Sequence, residues 1–149
     1  MRVTRHTDYA LRVLMFLGLK PIGQLSTIKE IAERYEISDN HLMKVVHQLG
    51  QHGFIPTVRG RQGGIRLARA VADINLGAVV RATESDLDIV ECFSPARNTC
   101  RIAPLCALTG IFSEALGAFL AVLDGYSLAD ILGPSSDLAA LLGVEAKKA

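Results

Sequence analysis

The chain has 149 residues, half of them apolar, and a formal net charge of +1. This length fits one domain, or a small domain with an added dimerisation element. With three cysteines and no charged-then-apolar leader, we expect a cytoplasmic protein in a reducing setting. Apolar stretches such as 115–123 are interrupted by Gly117 and are short for a bilayer crossing, so we expect no contact with a membrane.

The net charge hides an asymmetry between the two halves. Residues 1–70 carry eleven Lys and Arg against five Asp and Glu, a net of +6. Residues 71–149 carry five against ten, a net of −5. A basic half beside an acidic half indicates that one end contacts a polyanion. An unevenly charged, solvated surface is the alternative.

Three helices are predicted in the basic half. Apolar side chains recur at helical spacing over 8–19, with Thr7 as the candidate N-cap. Thr27 and Glu30 fit a capping box that opens a second helix. After a short turn, Ser38 caps a third helix. Its apolar stripe consists of Leu42, Val45, Val46 and Leu49, and its polar face of Asn40, His41, Lys44, His47, Gln48 and Gln51.

Two short helices joined by a tight turn, the second with a polar and mildly basic outer face, are typical of a helix-turn-helix. An ordinary amphipathic pair is the alternative. The next segment favours DNA binding, because strand 54–59, a glycine-rich turn at 60–64 and strand 65–67 predict the wing of a winged helix.

Between residues 54 and 69 the chain holds four arginines and no acid. Guanidinium groups on a wing suit phosphates or a narrow minor groove. We therefore expect double-stranded promoter DNA as the partner. The predicted DNA-binding residues are Ser38, Asn40, His41, Lys44, His47 and Gln48 on the helix and Arg59, Arg61 and Arg66 on the wing.

A further helix is predicted at 72–83, followed by an acidic segment at 84–88. A longer helix covers about 105–123. Its broad apolar face carries Leu108, Ile111, Phe112, Ala115, Leu116, Phe119, Leu120 and Leu123, and a second stripe of small residues carries Gly110, Ser113, Gly117 and Ala121. Two packing faces on one helix predict a homodimer, with short helices at 127–132 and 138–142 covering it.

The predicted fold is mainly α with a small β-hairpin wing. It divides into a winged helix-turn-helix DNA-binding domain at 1–83, a cysteine-rich loop at 84–106, and a dimerisation helix with short C-terminal helices at 105–149. We find no nucleotide loop, no paired catalytic carboxylates and no nucleophile–base signature, so the sequence does not predict an enzyme.

All three cysteines, Cys92, Cys100 and Cys106, lie within fifteen residues, beside two prolines. Clustered thiolates on irregular backbone predict a metal or redox site. The odd number argues against a simple pair of disulfides. Structural zinc is an alternative that lacks the usual C-x2–4-C pair. A thiol-based peroxide sensor, with Arg97 and Arg101 activating a thiolate, is another. A DNA-binding adaptor with dispensable cysteines is a third.

Five segments carry a resemblance that covers nearly the whole chain. They are T-D-Y-A-L-R at 7–12, H-L-M-K-V-V-H-Q-L at 41–49, V-R-G-R-Q-G-G-I-R-L at 58–67, the spacing Cys92-x7-Cys100-x5-Cys106, and Y-S-L-A-D-I-L at 126–132. Together they resemble the iron–sulfur-cluster winged-helix transcriptional regulators, and among these most closely the repressors that sense nitric oxide.

The resemblance implies a homodimer with one iron–sulfur cluster per subunit, either [4Fe-4S] or [2Fe-2S], whose state sets the affinity for DNA. The three cysteines would be ligands, and Asp8 would reach the cluster of the partner subunit. The alternative for Asp8 is an acid that favours the helix dipole by about 0.3–1 kcal/mol. Four acids closer in sequence are rival ligands: Glu84, Asp86, Asp88 and Glu91. Nitric oxide is the implied signal, and iron availability is the alternative.

Overall fold

The computed structural model describes residues 2–133 and 136–144, without the side chain of residue 136. The helices are α1 Arg5–Leu19, α2 Ile28–Tyr35, α3 Asp39–Gln51, α4 Leu76–Thr83, α5 Ala107–Asp124, α6 Leu128–Leu132 and α7 Ser136–Leu141, and the strands are β1 Thr57–Val58 and β2 Gly64–Ile65. Short 3₁₀ turns occur at Val71–Asp73, Glu91–Phe93 and Ala103–Leu105. The predicted fold class, mainly α with a small hairpin, is confirmed. The end of the predicted C-terminal segment, residues 145–149, lies outside the described residues.

Helix α1 begins earlier than the sequence predicted. Its N-cap is Thr4, whose hydroxyl accepts a hydrogen bond from the Thr7 amide, so Thr7 is not the cap. Thr7 is instead fully buried, with its hydroxyl 2.9 Å from the Thr83 hydroxyl on α4. A polar partner inside the protein makes the burial of this threonine favourable, which the local sequence does not show.

The helix-turn-helix forms as predicted, with one difference at its start. Thr27 caps α2 by accepting from the Glu30 amide, but the Glu30 carboxylate pairs with Lys20 at 2.5 Å instead of closing the capping box. Glu36 makes the turn in the left-handed region, and Ser38 caps α3. The predicted stripe of α3 is buried: Leu42, Val45, Val46 and Leu49.

Helix α1 lies at the centre of the fold and packs against α3, α4 and α6. The helices α6 and α7 belong to this same hydrophobic core, through Leu128, Leu132, Ala139 and Leu142. Gly18 on α1 allows α6 to pack closely against it, because a Cβ at this position would lie only 2.7 Å from a methyl group of Leu132. The buried residues of these short helices thus cover the core of their own chain, and the expectation that the helices also cover a dimer stays a prediction.

The wing is shorter than predicted. Thr57 pairs with Ile65 and Val58 with Gly64, while Ile65 exchanges two backbone hydrogen bonds with Ser26. Phe54 and Ile55 are buried in the core and not paired as a strand. Pro56 has no backbone N–H to donate to a neighbouring strand, so the pairing starts only at Thr57. A Cβ at Gly64 would lie 2.6 Å from the Ser26 carbonyl, so only glycine fits this crossing.

Helix α4 also begins later than predicted, at Leu76. Residues Val71–Asp73 form a 3₁₀ turn, and Asn75 caps α4 by accepting from the Ala78 amide. The predicted apolar residues are buried: Ile74, Leu76, Val79 and Val80.

Helix α5 packs along α4, but the described chain buries none of its residues. Leu108, Ile111 and Val122 are each more than half exposed. As predicted, the helix continues through Gly117, and its 18 residues have a mean hydropathy of 1.5. By length and composition alone α5 could cross a membrane, which is weak evidence because core helices of soluble proteins share this composition.

Candidate nucleic-acid interface and cysteine loop

Helix α3 presents its predicted polar side chains to solvent. Those of Asn40, His41, Lys44 and His47 are exposed, and so is the capping residue Ser38. The ring of Tyr9 on α1 lies 6.2 Å from that of His41 and supports one end of this face. Gln48 differs, because it is half-buried and its Nε2 donates to the Ala82 carbonyl at 2.6 Å. Of the five residues after the cap that were predicted to bind DNA, four are therefore exposed.

The structure adds residues that the sequence pattern missed. Met43 is half exposed on α3, and His6 from α1 lies against the same helix. Together with Lys44, His47, Gln48, Gln51 and His52 they line an open cleft of about 430 Å³. The spacing of α3 could have indicated Met43, which lies outside the buried stripe. No local signal indicates His6, because its position depends on how α1 crosses α3.

The wing carries exposed cations beside this helix. Arg59 and Arg61 are exposed, and Arg66 is partly exposed. Gly60 between the first two adopts a φ of 116°, which an L-residue rarely tolerates. Arg69 has a different role, because it donates to the Gly53 carbonyl at 3.0 Å and fixes the base of the wing.

The three thiols are free, and each is partly buried. Cys92 lies in the 3₁₀ turn Glu91–Phe93, with its Sγ 3.4 Å from the Thr109 hydroxyl on α5. The Cys100 amide donates to the Asn98 side chain at 3.0 Å. Cys106 is the N-cap residue of α5, where the positive end of the helix dipole favours an anionic ligand. The cysteine loop is thus anchored to α5 at its first and last thiols.

Three thiolates close together in sequence form a donor set that suits iron–sulfur chemistry. Within residues 2–133 and 136–144, however, no three His, Cys, Asp or Glu side chains are grouped as ligands of one metal ion. The donor chemistry of the three thiols fits a cluster, but the described residues do not place the thiols together as ligands of one metal ion. Binding a cluster would therefore require the cysteine loop to bring its own three thiols together and a fourth ligand to be added.

The acids near the cysteines are already engaged within the chain. Arg97 donates to Asp86 at 3.2 Å and to Asp88 at 2.8 Å, and these hydrogen bonds raise its pKa. The Thr99 hydroxyl donates to Glu91 at 3.0 Å. In the same way the Thr4 amide donates to Glu84 at 2.8 Å. Arg97 therefore contacts carboxylates, and the four rival ligands each have a partner.

Asp8 lies in the first turn of α1, and its side chain is about half exposed at 47%. Its carboxylate contacts Arg12 one turn later at 2.8 Å. The Arg12 guanidinium lies 5.8 Å from the ring centre of Tyr9 and 5.9 Å from that of Tyr35. The segment 7–12 therefore holds an accessible carboxylate on a side chain that two aromatic rings position.

A helix-turn-helix with an exposed polar helix, a basic wing beside it and a thiol-rich loop define a winged-helix DNA-binding regulator. Residues 3–134 match the Rrf2 family, described as iron-dependent transcriptional regulators. The chain belongs to this family. It is a transcriptional regulator of the helix-turn-helix type, and such proteins bind DNA and are not enzymes.

The chain is 54% identical to the HTH-type transcriptional regulator NsrR of Bacillus subtilis (strain 168) over 142 residues, which are 95% of this chain and 97% of that protein. It is 51% identical to NsrR of Halalkalibacterium halodurans, with the same shares covered. The solved structure of T. potens IscR is 25% identical, with a TM-score of 0.72 over 93% of this chain and 90% of that one. These similarities agree with the most specific resemblance seen in the sequence.

Proposed function

We propose that this regulator is a cytoplasmic, homodimeric repressor that carries one iron–sulfur cluster per subunit, [4Fe-4S] or [2Fe-2S], and releases operator DNA in response to nitric oxide. The observation that carries the proposal is the position of the cysteine loop. Three free thiols lie on a segment that leaves the DNA-binding domain at α4 and enters the exposed helix α5. The resemblance of the sequence to repressors that sense nitric oxide supports nitric oxide as the signal. Similarity to NsrR over nearly the whole chain agrees with that resemblance. Free cysteines suit the reducing cytoplasm.

The proposed ligands are Cys92, Cys100 and Cys106, with Asp8 of the partner subunit completing the set. When bound, the cluster supplies iron that reacts with nitric oxide, and the carboxylate-bound iron is the least firmly held. Asp8 suits this role because its carboxylate is half exposed.

Helix α5 is the proposed dimer contact. Leu108, Ile111 and Val122 are each more than half exposed on α5, and exposed apolar side chains on one helix favour association with a second copy. A symmetric dimer places the two α3 helices on successive half-sites of a palindromic operator. Membrane contact is not part of the proposal, because burial against a partner helix accounts for the same apolar surface.

The DNA contacts proposed for α3 are Ser38, Asn40, His41, Lys44 and His47 in the major groove. Arg59, Arg61 and Arg66 on the wing are proposed to contact the backbone, since phosphate contacts fix the register of a protein on the duplex. Gln48, which the sequence also assigned to base contacts, is considered separately below because its amide already has a partner.

The chain itself links the loop to the DNA-binding helices. Thr83 and Glu84 end α4 and bond to Thr7 and Thr4 at the start of α1, at 2.9 and 2.8 Å. The next residues enter the loop. A change in the loop therefore acts on α1 and α4 together, and the two winged helices move relative to each other in the dimer.

An iron sensor is the second candidate function. The description of the matched family as iron-dependent favours it, and the same scaffold supports it. In this case the signal is loss of the cluster, so chelation of iron releases DNA while nitric oxide has no added effect.

The experiment that tests the cofactor is anaerobic purification with iron and sulfide counts, a visible spectrum and operator binding. The expected result is a coloured, iron-containing dimer, and loss of iron in Cys100→Ser but not in the neighbouring Ser94→Ala. If the protein contains no iron even when it is kept anaerobic throughout, the proposal is wrong, and the cysteines bind zinc or act as redox-active thiols instead.

A further inference from the structure

Gln48 lies on α3, where it lines the open cleft, and its side-chain amide bonds to α4. Its Nε2 donates to the Ala82 carbonyl at 2.6 Å, and the residue is partly buried. Ala82 lies in the last turn of α4, where carbonyls have no partner within the helix. The side chain of the recognition helix thus completes the hydrogen bonding of another helix.

The same turn of α4 is bonded on its other side to α1. The Thr83 hydroxyl lies 2.9 Å from that of Thr7, and Glu84 accepts from the Thr4 amide at 2.8 Å. After Glu84 the chain continues into the cysteine loop. Residues 82–84 therefore contact α3 and α1 and lead directly into the segment that carries the thiols.

We infer that Gln48 is a positioning residue that fixes α3 to the last turn of α4 and so transmits the state of the cysteine loop to the recognition helix. This inference rests on the proposed function and names part of its route. An amide directed at α4 does not lie along a base edge, as the paired contact between glutamine and adenine requires. Gln48 acts on DNA through the orientation of α3.

The test compares Gln48→Leu with Gln24→Leu, an exposed glutamine in the loop between α1 and α2. Operator affinity is measured for cluster-loaded and cluster-free dimers, and on a set of operators with single base-pair changes. Loss of one hydrogen bond should reduce the ratio of the two affinities about three- to tenfold in Gln48→Leu. The reduction in loaded affinity should be the same on every operator. Gln24→Leu should keep the wild-type ratio.

A readout independent of DNA is hydrogen exchange in the cluster-free protein. The amides of α3 should exchange faster in Gln48→Leu than in Gln24→Leu, since the bond to Ala82 is lost. Gln48→Glu, which keeps the shape but offers a carboxylate to the carbonyl, should behave like Gln48→Leu. It provides a second variant if the apolar substitution disturbs folding.

Two results would overturn the inference while leaving the proposed function intact. An equal loss of affinity in loaded and cluster-free forms would show a structural role only, and a changed preference at one base pair would show that Gln48 reads a base. If the wild-type protein shows the same affinity in both forms, the proposed function itself fails, and the coupling role fails with it.

Discussion

Arg81 on α4 donates to both carboxylate oxygens of Asp124 at the end of α5, over 2.6 and 2.7 Å. These hydrogen bonds lower the pKa of Asp124 and raise that of Arg81. The side chain of Asn75 also donates to the Asp124 carbonyl at 2.7 Å. The end of α5 is therefore fixed to α4 both at its N-cap, Asn75, and in its last turn, through Arg81. This sets the direction in which α5 packs along α4.

A Cβ at Gly77 would overlap the Asp124 carboxylate, so that side chain would have to move away from Arg81. We predict that Gly77→Ala unfolds at a lower urea concentration than its matched control, because the displaced Asp124 loses its paired hydrogen bonds to Arg81. Urea unfolding of the cluster-free protein measures this. The matched control is Gly50→Ala, whose new methyl group meets only the Ile55 carbonyl at an ordinary 3.7 Å. Equal stability of the two variants would contradict the steric argument.

The apolar face of α5 predicts the oligomeric state. Ile111→Glu places a charge in the proposed contact between subunits, where it has no partner, and should convert the dimer to a monomer. Sedimentation velocity of the cluster-free protein measures the change. Ile22→Glu is the control, since Ile22 is 88% exposed but lies between α1 and α2, far along the chain from α5. If Ile111→Glu stays dimeric, the contact lies elsewhere.

The wing makes a prediction about salt dependence. Arg61→Ala should weaken binding to all DNA sequences and reduce the slope of log affinity against log salt concentration by about one unit, as expected for one lost phosphate contact. Gln62→Ala changes the same turn without removing a charge and should keep the wild-type slope. A sequence-dependent loss in Arg61→Ala would instead assign it to base reading. Fluorescence anisotropy with operator and non-specific duplexes distinguishes the two.

Tyr35 on α2 predicts a dependence of stability on alkaline pH. Burial raises its pKa from 10.0 to about 12, while the charge of Arg12 acts in the opposite direction. Since the folded protein holds the phenol proton more tightly, the contribution is complete below about pH 10 and is lost as the pH rises towards 12. The free energy of unfolding of the wild type should fall more steeply across this range than that of Tyr35→Phe.

The control is Tyr126→Phe, which removes a half-exposed phenol and should keep the wild-type slope. Urea midpoints measured at several pH values give the comparison. Parallel curves for the wild type and Tyr35→Phe would contradict the assignment.

Much of this fold could be predicted because its signals are local. The buried stripe of α3 follows from helical spacing, and the caps at Thr27 and Ser38 follow from hydroxyls beside free amides. Helix starts were less predictable. Thr4 replaced Thr7 as the cap because Thr7 finds a partner on α4, 76 positions away. No pattern within α1 contains that information.

In the candidate site, too, some features follow from the local sequence and others depend on tertiary contacts. The exposure of Asn40 and Lys44 follows from the helix face, and the basic wing from composition. Gln48 has the same spacing but turns to the Ala82 carbonyl, which depends on the packing of α3 against α4. The packing of α6 could not be predicted from the sequence either, because its apolar residues suit a dimer contact and a core equally well. The structure shows Leu128 buried in the core of its own chain.

The most direct test of the central claim is an anaerobic titration of the iron-containing dimer with nitric oxide. Cluster absorbance and operator binding are recorded on the same samples. The account predicts that absorbance and bound DNA fall together, with a loss of affinity of at least about fivefold, on the order of 1 kcal/mol. Operator binding that stays unchanged after the absorbance has been fully lost would contradict it.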